Sequence, residues 1–160
     1  RWMKHGVYPV KLLRLFRYGA ARCEQRHMDE HMELSRGRAV EFEHDFVDEN
    51  LNGLGWWAHK HVDYSARVLA DLEDILSSAA ADSGINGQAE RKRAMKERYA
   101  RQPLFWRSFA YFCYRYFLKL GFLDGREGFL WHFMQGWWYR TLVDARQFEK
   151  QKKGSGKTAR

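Results

Sequence analysis

With 160 residues and a formal net charge of +8, the chain is long enough for one modest domain with a hydrophobic core. Its two cysteines, Cys23 and Cys113, lie far apart and form no C-x-x-C pair, which excludes a disulfide framework and suits a reducing compartment. No signal peptide opens the sequence, and no stretch of about 18 uncharged apolar residues predicts a membrane-spanning helix.

The first part of the chain has two strand patterns. Residues 10–18, VKLLRLFRY, are mostly apolar and end at Gly19, which predicts a short strand. Residues 37–46, GRAVEFEHDF, alternate apolar and acidic side chains, which predicts the clearest strand. Two strands do not make a self-sufficient sheet, and the sequence starts at Arg1 without a start signal. We therefore expect the carboxyl-terminal part of a longer protein, with further strands in its amino-terminal half.

From residue 56 the pattern becomes helical. Apolar and aromatic residues recur every three or four positions up to residue 76, which predicts an amphipathic helix. The predicted segments after it are a polar linker (77–88), a charged helix (89–101), an aromatic helix from Pro103 to about residue 120, a glycine-containing turn (121–128), a final helix (129–150) and a disordered basic tail. The expected divisions are a mixed part (1–76), the linker (77–88), an aromatic helical part (89–150) and the tail (151–160).

The aromatic residues are unevenly placed. Of 26 in the chain, 15 lie between Phe105 and Tyr139, and basic segments flank this block at 90–101 and 149–160. Within it, Trp and Tyr alternate with Arg and Lys, a mixture typical of segments that lie on an anionic membrane surface. An aromatic core with a solvated tail is one alternative explanation, and nucleic-acid binding is another.

The segment QRHMDEHM, residues 25–32, concentrates chemically active side chains. Read as H-x-x-E-H, it would bind zinc through His27 and His31, with Glu30 as general base. That interpretation needs a helix and a third ligand, but the segment lies between predicted strands with glycines close on either side. The tail sequence GSGKT resembles a phosphate-binding loop, but Gln151 stands where the motif needs glycine and no strand precedes it.

Four pieces of the chain carry a resemblance to a known family. They are RLFR (14–17), DEH (29–31), the WW..KH..Y pattern (56–64) and GFLDGREGFLWHFMQGWWYRTLVDAR (121–146). Taken in this order, they resemble the second half of family-2 glycosyltransferases, namely bacterial enzymes of lipopolysaccharide-core and exopolysaccharide assembly, including the colanic-acid type. The resemblance extends to about residue 150.

This resemblance implies an α/β fold of the GT-A type, of which the chain would be the carboxyl-terminal, acceptor-side half. In that family the amino-terminal half binds the nucleotide-sugar, and a D-x-D motif holds a divalent metal, Mg or Mn, on the diphosphate. The sequence contains no such motif in a nucleotide-binding context, since DEN at 48–50 is not one. We therefore expect the missing half to bind donor and metal, no metal ligands in this chain, and no activity from this part alone.

The resemblance also implies an inverting transfer in which a carboxylate removes the proton of the acceptor hydroxyl. The acidic pair falls on Asp29 and Glu30, and we expect Glu30 to be the base, with Asp29 as the other candidate. The groups expected to bind donor or acceptor are Arg14, Arg17, Arg26, His31, Lys60 and His61. In the alternative interpretation, the arginines are surface charges and His61 is a packed helix residue.

The expected partners are a nucleotide-sugar, a glycan or lipid-linked glycan acceptor and an anionic membrane, with no nucleic acid. The protein would be cytoplasmic and peripheral on the inner face of the cell membrane. Two other functions stay open: a zinc hydrolase built on His27, Glu30 and His31, and a basic module without catalytic activity that binds membranes or nucleic acid.

Overall fold

The computed structural model describes residues 3–7, 9–23, 32–47, 49–78 and 88–157, and most of these residues are helical. The described strands are β1 (Ala21–Cys23) and β2 (Met32–Leu34). They pair antiparallel, with Arg22 opposite Glu33. The α/β class implied by the resemblance thus stays an expectation, since this short hairpin is the sheet seen in the described part of the chain.

The two strand predictions from the sequence patterns are wrong. Residues 10–18 and 37–46 have no strand structure. In the second segment both kinds of side chain face solvent, and Val40 and Phe42 are 75% and 73% exposed. A strand is stable only when its backbone is paired and one face is covered, and neither condition holds for these residues here.

The first helix, α1 (Leu54–Ser78), confirms the helical prediction for residues 56–76. Its apolar face buries Leu69 and Leu72 against Tyr139 and Val143 of a later helix, together with Ala100. This cluster is the hydrophobic core of the described structure. Burial of such side chains contributes about 1.5–3 kcal/mol each. The linker prediction falls mostly on residues 79–87, which lie outside the described residues.

The remaining helices follow the predicted order. The charged helix is α2 (Gln88–Ala100), and the aromatic helix is α3 (Trp106–Cys113) followed by a wider π-helical turn (Tyr114–Leu118). A 3-10 turn (Gly121–Asp124) leads into α4 (Gly125–Trp131), a second π-helical stretch (His132–Trp138) and α5 (Tyr139–Lys157). Helix α5 continues through residue 157, where we expected a disordered tail from residue 151.

Two non-glycine residues with positive φ mark the sharp bends around α3. Phe105 (φ 69°) precedes α3, and Leu120 (φ 59°) follows the π-helical turn. These bends fold the aromatic helix back against the stretch at 132–138, which it contacts closely. Within the described ranges, no helix is both long enough and apolar enough to cross a membrane.

Candidate functional site

The acidic segment singled out by the sequence lies outside the described residues. This applies to Asp29, Glu30, Arg26, His31 and His27. The strands that flank the segment are described, and Cys23 lies opposite Met32 in their pairing. The two positions that border the segment are therefore close together.

The other predicted binding residues lie in two separate regions. Arg14 and Arg17 are exposed in the stretch before β1. Lys60 and His61 are neighbours on α1, six and seven residues after its first residue, Leu54. They thus lie beyond the first turn of the helix. Only that first turn has free backbone N–H groups that could bind a phosphate. Among the described contacts, none joins either arginine to Lys60 or His61.

Lys60 lies over an aromatic surface. Its Nζ is 4.8 Å from the Trp56 ring centroid and 5.2 Å from that of Tyr64. The indole of Trp56 is exposed. A cation beside an exposed indole forms a surface that can take a polar ring such as a sugar, with the ammonium group available to hydroxyl or phosphate oxygens.

His61 is packed between rings. Its imidazole stacks on Trp57 at 3.6 Å and meets the Tyr139 ring edge-on at 4.8 Å. Its Nδ1 lies 2.8 Å from the Trp57 carbonyl oxygen, so Nδ1 carries the hydrogen and donates it. Burial lowers the pKa of His61, and the hydrogen bonds with Trp57 and Gln135 offset only part of this effect. The imidazole is therefore neutral near pH 7.

Two pieces of the family resemblance meet at this point. Trp57 lies 6.2 Å from Trp138, and His61 contacts Tyr139 and Gln135. Trp57 and His61 belong to the piece at 56–64, which lies on α1. Gln135, Trp138 and Tyr139 belong to the piece at 121–146. Sequence spacing alone could not show that these pieces pack together.

A buried ion pair joins α3 to α5. Arg107 donates through Nε to Asp144 Oδ1 at 2.6 Å, and both side chains are almost fully buried. The remaining Arg107 nitrogens donate to the Ala100 carbonyl oxygen and to Gln147 Oε1. The second Asp144 oxygen accepts the N–H of Phe105 at 2.8 Å. Every nitrogen of the guanidinium and both oxygens of the carboxylate therefore have hydrogen-bond partners within the fold, so the role of this pair is structural.

Two further arginines lie near this pair, around Tyr99 and Tyr111. The Arg140 guanidinium is 4.0 Å from the Tyr111 ring and 5.2 Å from the Tyr99 ring. Arg115 lies 5.4 Å from Tyr111, on the next turn of the same helix. Its side chain is buried, and its Nε and Nη2 have no hydrogen-bond partner among the described residues. We call these residues, with Arg107, the arginine–tyrosine cluster.

The buried carboxylate of Asp124, at the start of α4, binds the amino-terminal segment around residues 4–5. Asp124 accepts the N–H groups of Lys4 and His5, and its Oδ1 lies 2.9 Å from His5 Nδ1. Burial alone would raise the pKa of Asp124, but the hydrogen bonds from His5 and Lys4 outweigh it and hold the pKa below its ordinary value. The contact therefore favours the ionised carboxylate.

His132 lies beneath this contact and is fully buried. Neither ring nitrogen makes a hydrogen bond of ordinary geometry with a described residue. Burial, reinforced by the nearby charge of Arg115, lowers the pKa of His132. A Cβ added to Gly6 or Gly121 would lie within 2.5 Å of the imidazole, so both positions need glycine for this close approach.

A continuous row of aromatic rings runs over the surface of the helical part. Neighbouring ring centroids are 5.1–6.3 Å apart along the whole row. We call it the aromatic face; its members in order of contact are Trp106, Phe109, Trp137, Phe133, Phe129 and Tyr116, and the Tyr116 ring contacts both Phe117 and Phe122 at its end. Trp106 is 70% exposed and Phe117 55% exposed. Exposed apolar patches of this extent mark interaction surfaces.

Sequence reasoning missed the buried charges. The Arg and Lys residues of the aromatic block were interpreted as interfacial, yet Arg107 and Arg115 point inward. Their spacing, with Tyr111 halfway between them, puts all three on one side of a helix. A regular four-residue spacing of polar residues in an apolar helix was the available signal for a buried polar row.

Within the described parts of the chain, no group of three His, Cys, Asp or Glu side chains is arranged to hold a metal ion. The residues of the zinc interpretation lie outside those parts. Comparison of the chain with protein-family models, curated proteins and solved structures gave no match in any of the three.

Proposed function

We propose that the chain is the acceptor-side part of an inverting family-2 glycosyltransferase, which transfers a sugar from a nucleotide-sugar to a glycan or lipid-linked glycan. The observation that carries this proposal is the packing of Trp57 and His61 against Gln135, Trp138 and Tyr139. Two pieces of the family resemblance, about 80 positions apart, thereby form one local structure. That coincidence is what a shared architecture would produce.

In the proposed reaction, Glu30 accepts the proton of the acceptor hydroxyl while that oxygen attacks the anomeric carbon and the nucleoside diphosphate leaves. Asp29 is the other candidate base. A divalent ion, held by a donor-binding half outside this chain, would neutralise the leaving diphosphate. Lys60 and exposed Trp56 offer a cation and a flat ring on the described surface, a combination suited to a sugar or its phosphate.

The proposal is tested with the full-length protein of the parent gene. Nucleoside diphosphate release is followed for a panel of nucleotide-sugars with Mg²⁺ or Mn²⁺, for wild type, Glu30→Gln and Asp29→Asn. Glu33→Gln is the matched control, since Glu33 is a nearby exposed carboxylate paired with Arg22. Loss of a general base lowers turnover about 100-fold or more.

Loss with Glu30→Gln alone supports Glu30 as the base, and loss with Asp29→Asn alone moves the role to Asp29. If no donor is turned over, or if both variants behave like Glu33→Gln, the transferase proposal is refuted. Stoichiometric zinc in the purified protein would then favour the hydrolase alternative.

We further propose that the protein is peripheral on the inner face of the cell membrane and touches it through the aromatic face. The exposure of Trp106 and Phe117 supports this proposal, as do exposed Lys119 and Arg126 in the same region. Aromatic rings sit well at the headgroup level, and basic side chains are attracted to anionic lipids. A lipid-linked acceptor would meet the enzyme at this surface.

Vesicle sedimentation tests the membrane contact. Wild-type protein should bind vesicles that contain anionic lipid. Trp106→Ala should weaken this binding about tenfold, because the variant lacks the apolar contact between the Trp106 ring and the lipid, which is worth about 1.5–3 kcal/mol. Phe42→Ala is the control, since Phe42 is equally exposed but lies outside the aromatic face. Absence of vesicle binding would refute the membrane contact.

A further inference from the structure

An open groove of about 780 Å³ adjoins the aromatic face, where α2 ends and α3 begins. Trp106 belongs to both. The polar part of its wall is formed by Arg98, Tyr99, Gln102, Arg107, Tyr111 and Tyr114. The volume falls in the range of small-ligand sites. Arg98 and the phenol hydroxyls of this wall can donate hydrogen bonds to a ligand, whereas the Arg107 nitrogens already donate to Asp144, Ala100 and Gln147.

Behind this wall the arginine–tyrosine cluster has an excess of positive charge. Asp144 is the carboxylate that pairs with this cluster, and its two oxygens accept from Arg107 and from the Phe105 N–H. The other two guanidiniums contact the tyrosines that line the groove, Arg140 touching both rings and Arg115 that of Tyr111. The groove wall is thus backed by cations that Asp144 does not neutralise.

Arg115 is the member of the cluster whose hydrogen bonding is incomplete. Its side chain is 4% exposed, and two of its N–H-bearing nitrogens have no acceptor among the described residues. Burial lowers the pKa of Arg115, and the charge of Arg140 acts in the same direction, while Tyr111 acts against them. Tyr111 thus gives Arg115 part of its hydrogen bonding, and an anion nearby would stabilise the buried charge further.

We propose that this groove binds a phosphate or diphosphate group. Arg98 and the hydroxyls of Tyr99 and Tyr111 would face the anion, and Arg140 and Arg115 would supply the positive field behind them. Guanidinium groups suit phosphate because they present several N–H donors in a fixed plane. The phosphate could be carried by a lipid or dissolved in water; only the lipid-borne source rests on the proposed membrane function.

Calorimetric titration of the full-length protein with inorganic pyrophosphate, at constant ionic strength, tests the site. Arg98→Gln and Tyr111→Phe remove one groove-facing donor each and leave the helix backbone intact. We expect either change to weaken binding about tenfold, which is the worth of one charge-assisted hydrogen bond. Arg38→Gln is the matched control, since Arg38 is an exposed arginine that does not line the groove, and it should bind pyrophosphate like wild type.

Arg115→Met tests the buried charge separately, by thermal unfolding with and without pyrophosphate. Without the anion this variant should melt at or above the wild-type temperature, because a buried cation with two nitrogens lacking acceptors is replaced by an uncharged side chain of similar volume. Pyrophosphate should raise its melting temperature less than that of wild type. A purely structural Arg115 would lower the melting temperature and leave the pyrophosphate increment unchanged.

Absence of pyrophosphate binding up to about 10 mM, a range that covers even weak sites, would overturn the proposal, and so would equal weakening by Arg98→Gln and Arg38→Gln. Vesicles of phosphatidylcholine with phosphatidic acid identify the source once binding is found. Competition with pyrophosphate supports a lipid-borne phosphate in the groove, and lack of competition supports a dissolved one. Because pyrophosphate binding needs neither membrane nor sugar transfer, its failure refutes the groove alone.

Discussion

The buried Arg107–Asp144 pair gives the sharpest prediction about stability. Asp144→Ala would leave the Arg107 guanidinium charged and fully buried, and it would free the N–H of Phe105, whose φ of 69° is already unfavourable. Removal of one partner of a buried ion pair typically destabilises a protein by about 3–5 kcal/mol. Domains of this size have a total stability of about 5–15 kcal/mol, so the variant should be close to unfolding.

Urea unfolding followed by circular dichroism measures this loss. Glu97→Ala is the control, since it breaks an ion pair with Arg101 on the surface of the neighbouring helix α2, and such pairs contribute about 0–1 kcal/mol. The double variant Arg107→Met with Asp144→Leu should recover most of the lost stability, because it removes both buried charges and leaves neither of them unpaired.

The reasoning is refuted if Asp144→Ala unfolds within about 1 kcal/mol of wild type, the limit set by an exposed pair. It is also refuted if the double variant is as unstable as Asp144→Ala, because the loss would then come from shape and not from the unpaired charge.

Three further predictions concern the amino-terminal contact. The lowered pKa of His132 means that the unfolded chain binds a proton near pH 6.5, whereas the imidazole stays neutral in the folded protein. The free energy of unfolding should therefore fall below that pH, by up to about 1.4 kcal/mol per pH unit. Urea unfolding at pH 7.5 and 5.5 should give a smaller pH difference for His132→Gln than for wild type. Gly121→Ala should lower the free energy of unfolding by about 1–3 kcal/mol because its Cβ would meet His132, whereas Gly53→Ala, with open space around it, should stay within about 0.5 kcal/mol. Because the pKa of Asp124 is lowered, the contact stabilises the fold above the unfolded carboxyl pKa of about 3.9, and this effect is lost as the pH falls through the pKa of Asp124 in the folded protein. Asp124→Asn at pH 7 should speed amide exchange at His5, and unchanged exchange would contradict this.

The helices could be predicted from the sequence because their signal is local. The three-to-four spacing from Trp57 to Ile75 records which side of α1 faces the core, and that side buries Leu69 and Leu72. The charged and aromatic helices were also recognised, with ends within a few residues.

The strands failed because their stability depends on partners that the local pattern does not contain. The alternation at residues 37–46 shows that a strand there would have one apolar and one acidic face, but it does not show whether another element covers the apolar face. In the structure Phe42 is exposed. The real strands, Ala21–Cys23 and Met32–Leu34, are too short for any period to show.

The buried polar groups could not be assigned for a similar reason. Asp144 follows Arg107 by 37 positions, so their pairing depends on how α3 folds back on α5. The contact between His5 and Asp124 spans 119 positions. The acidic pair Asp29 and Glu30 remains a prediction, since it lies outside the described residues.

The long span between His5 and Asp124 also sets an order of folding. Closing a flexible loop of that length carries an entropic cost of about 4 kcal/mol, so the contact forms only after the helices have shortened the path. Contacts between α3 and the stretch at 132–138 span far fewer positions and should form earlier. We therefore expect the amino-terminal segment to dock last in folding and to detach first, in a partial opening that bares the imidazole of His132 while the helical core stays intact.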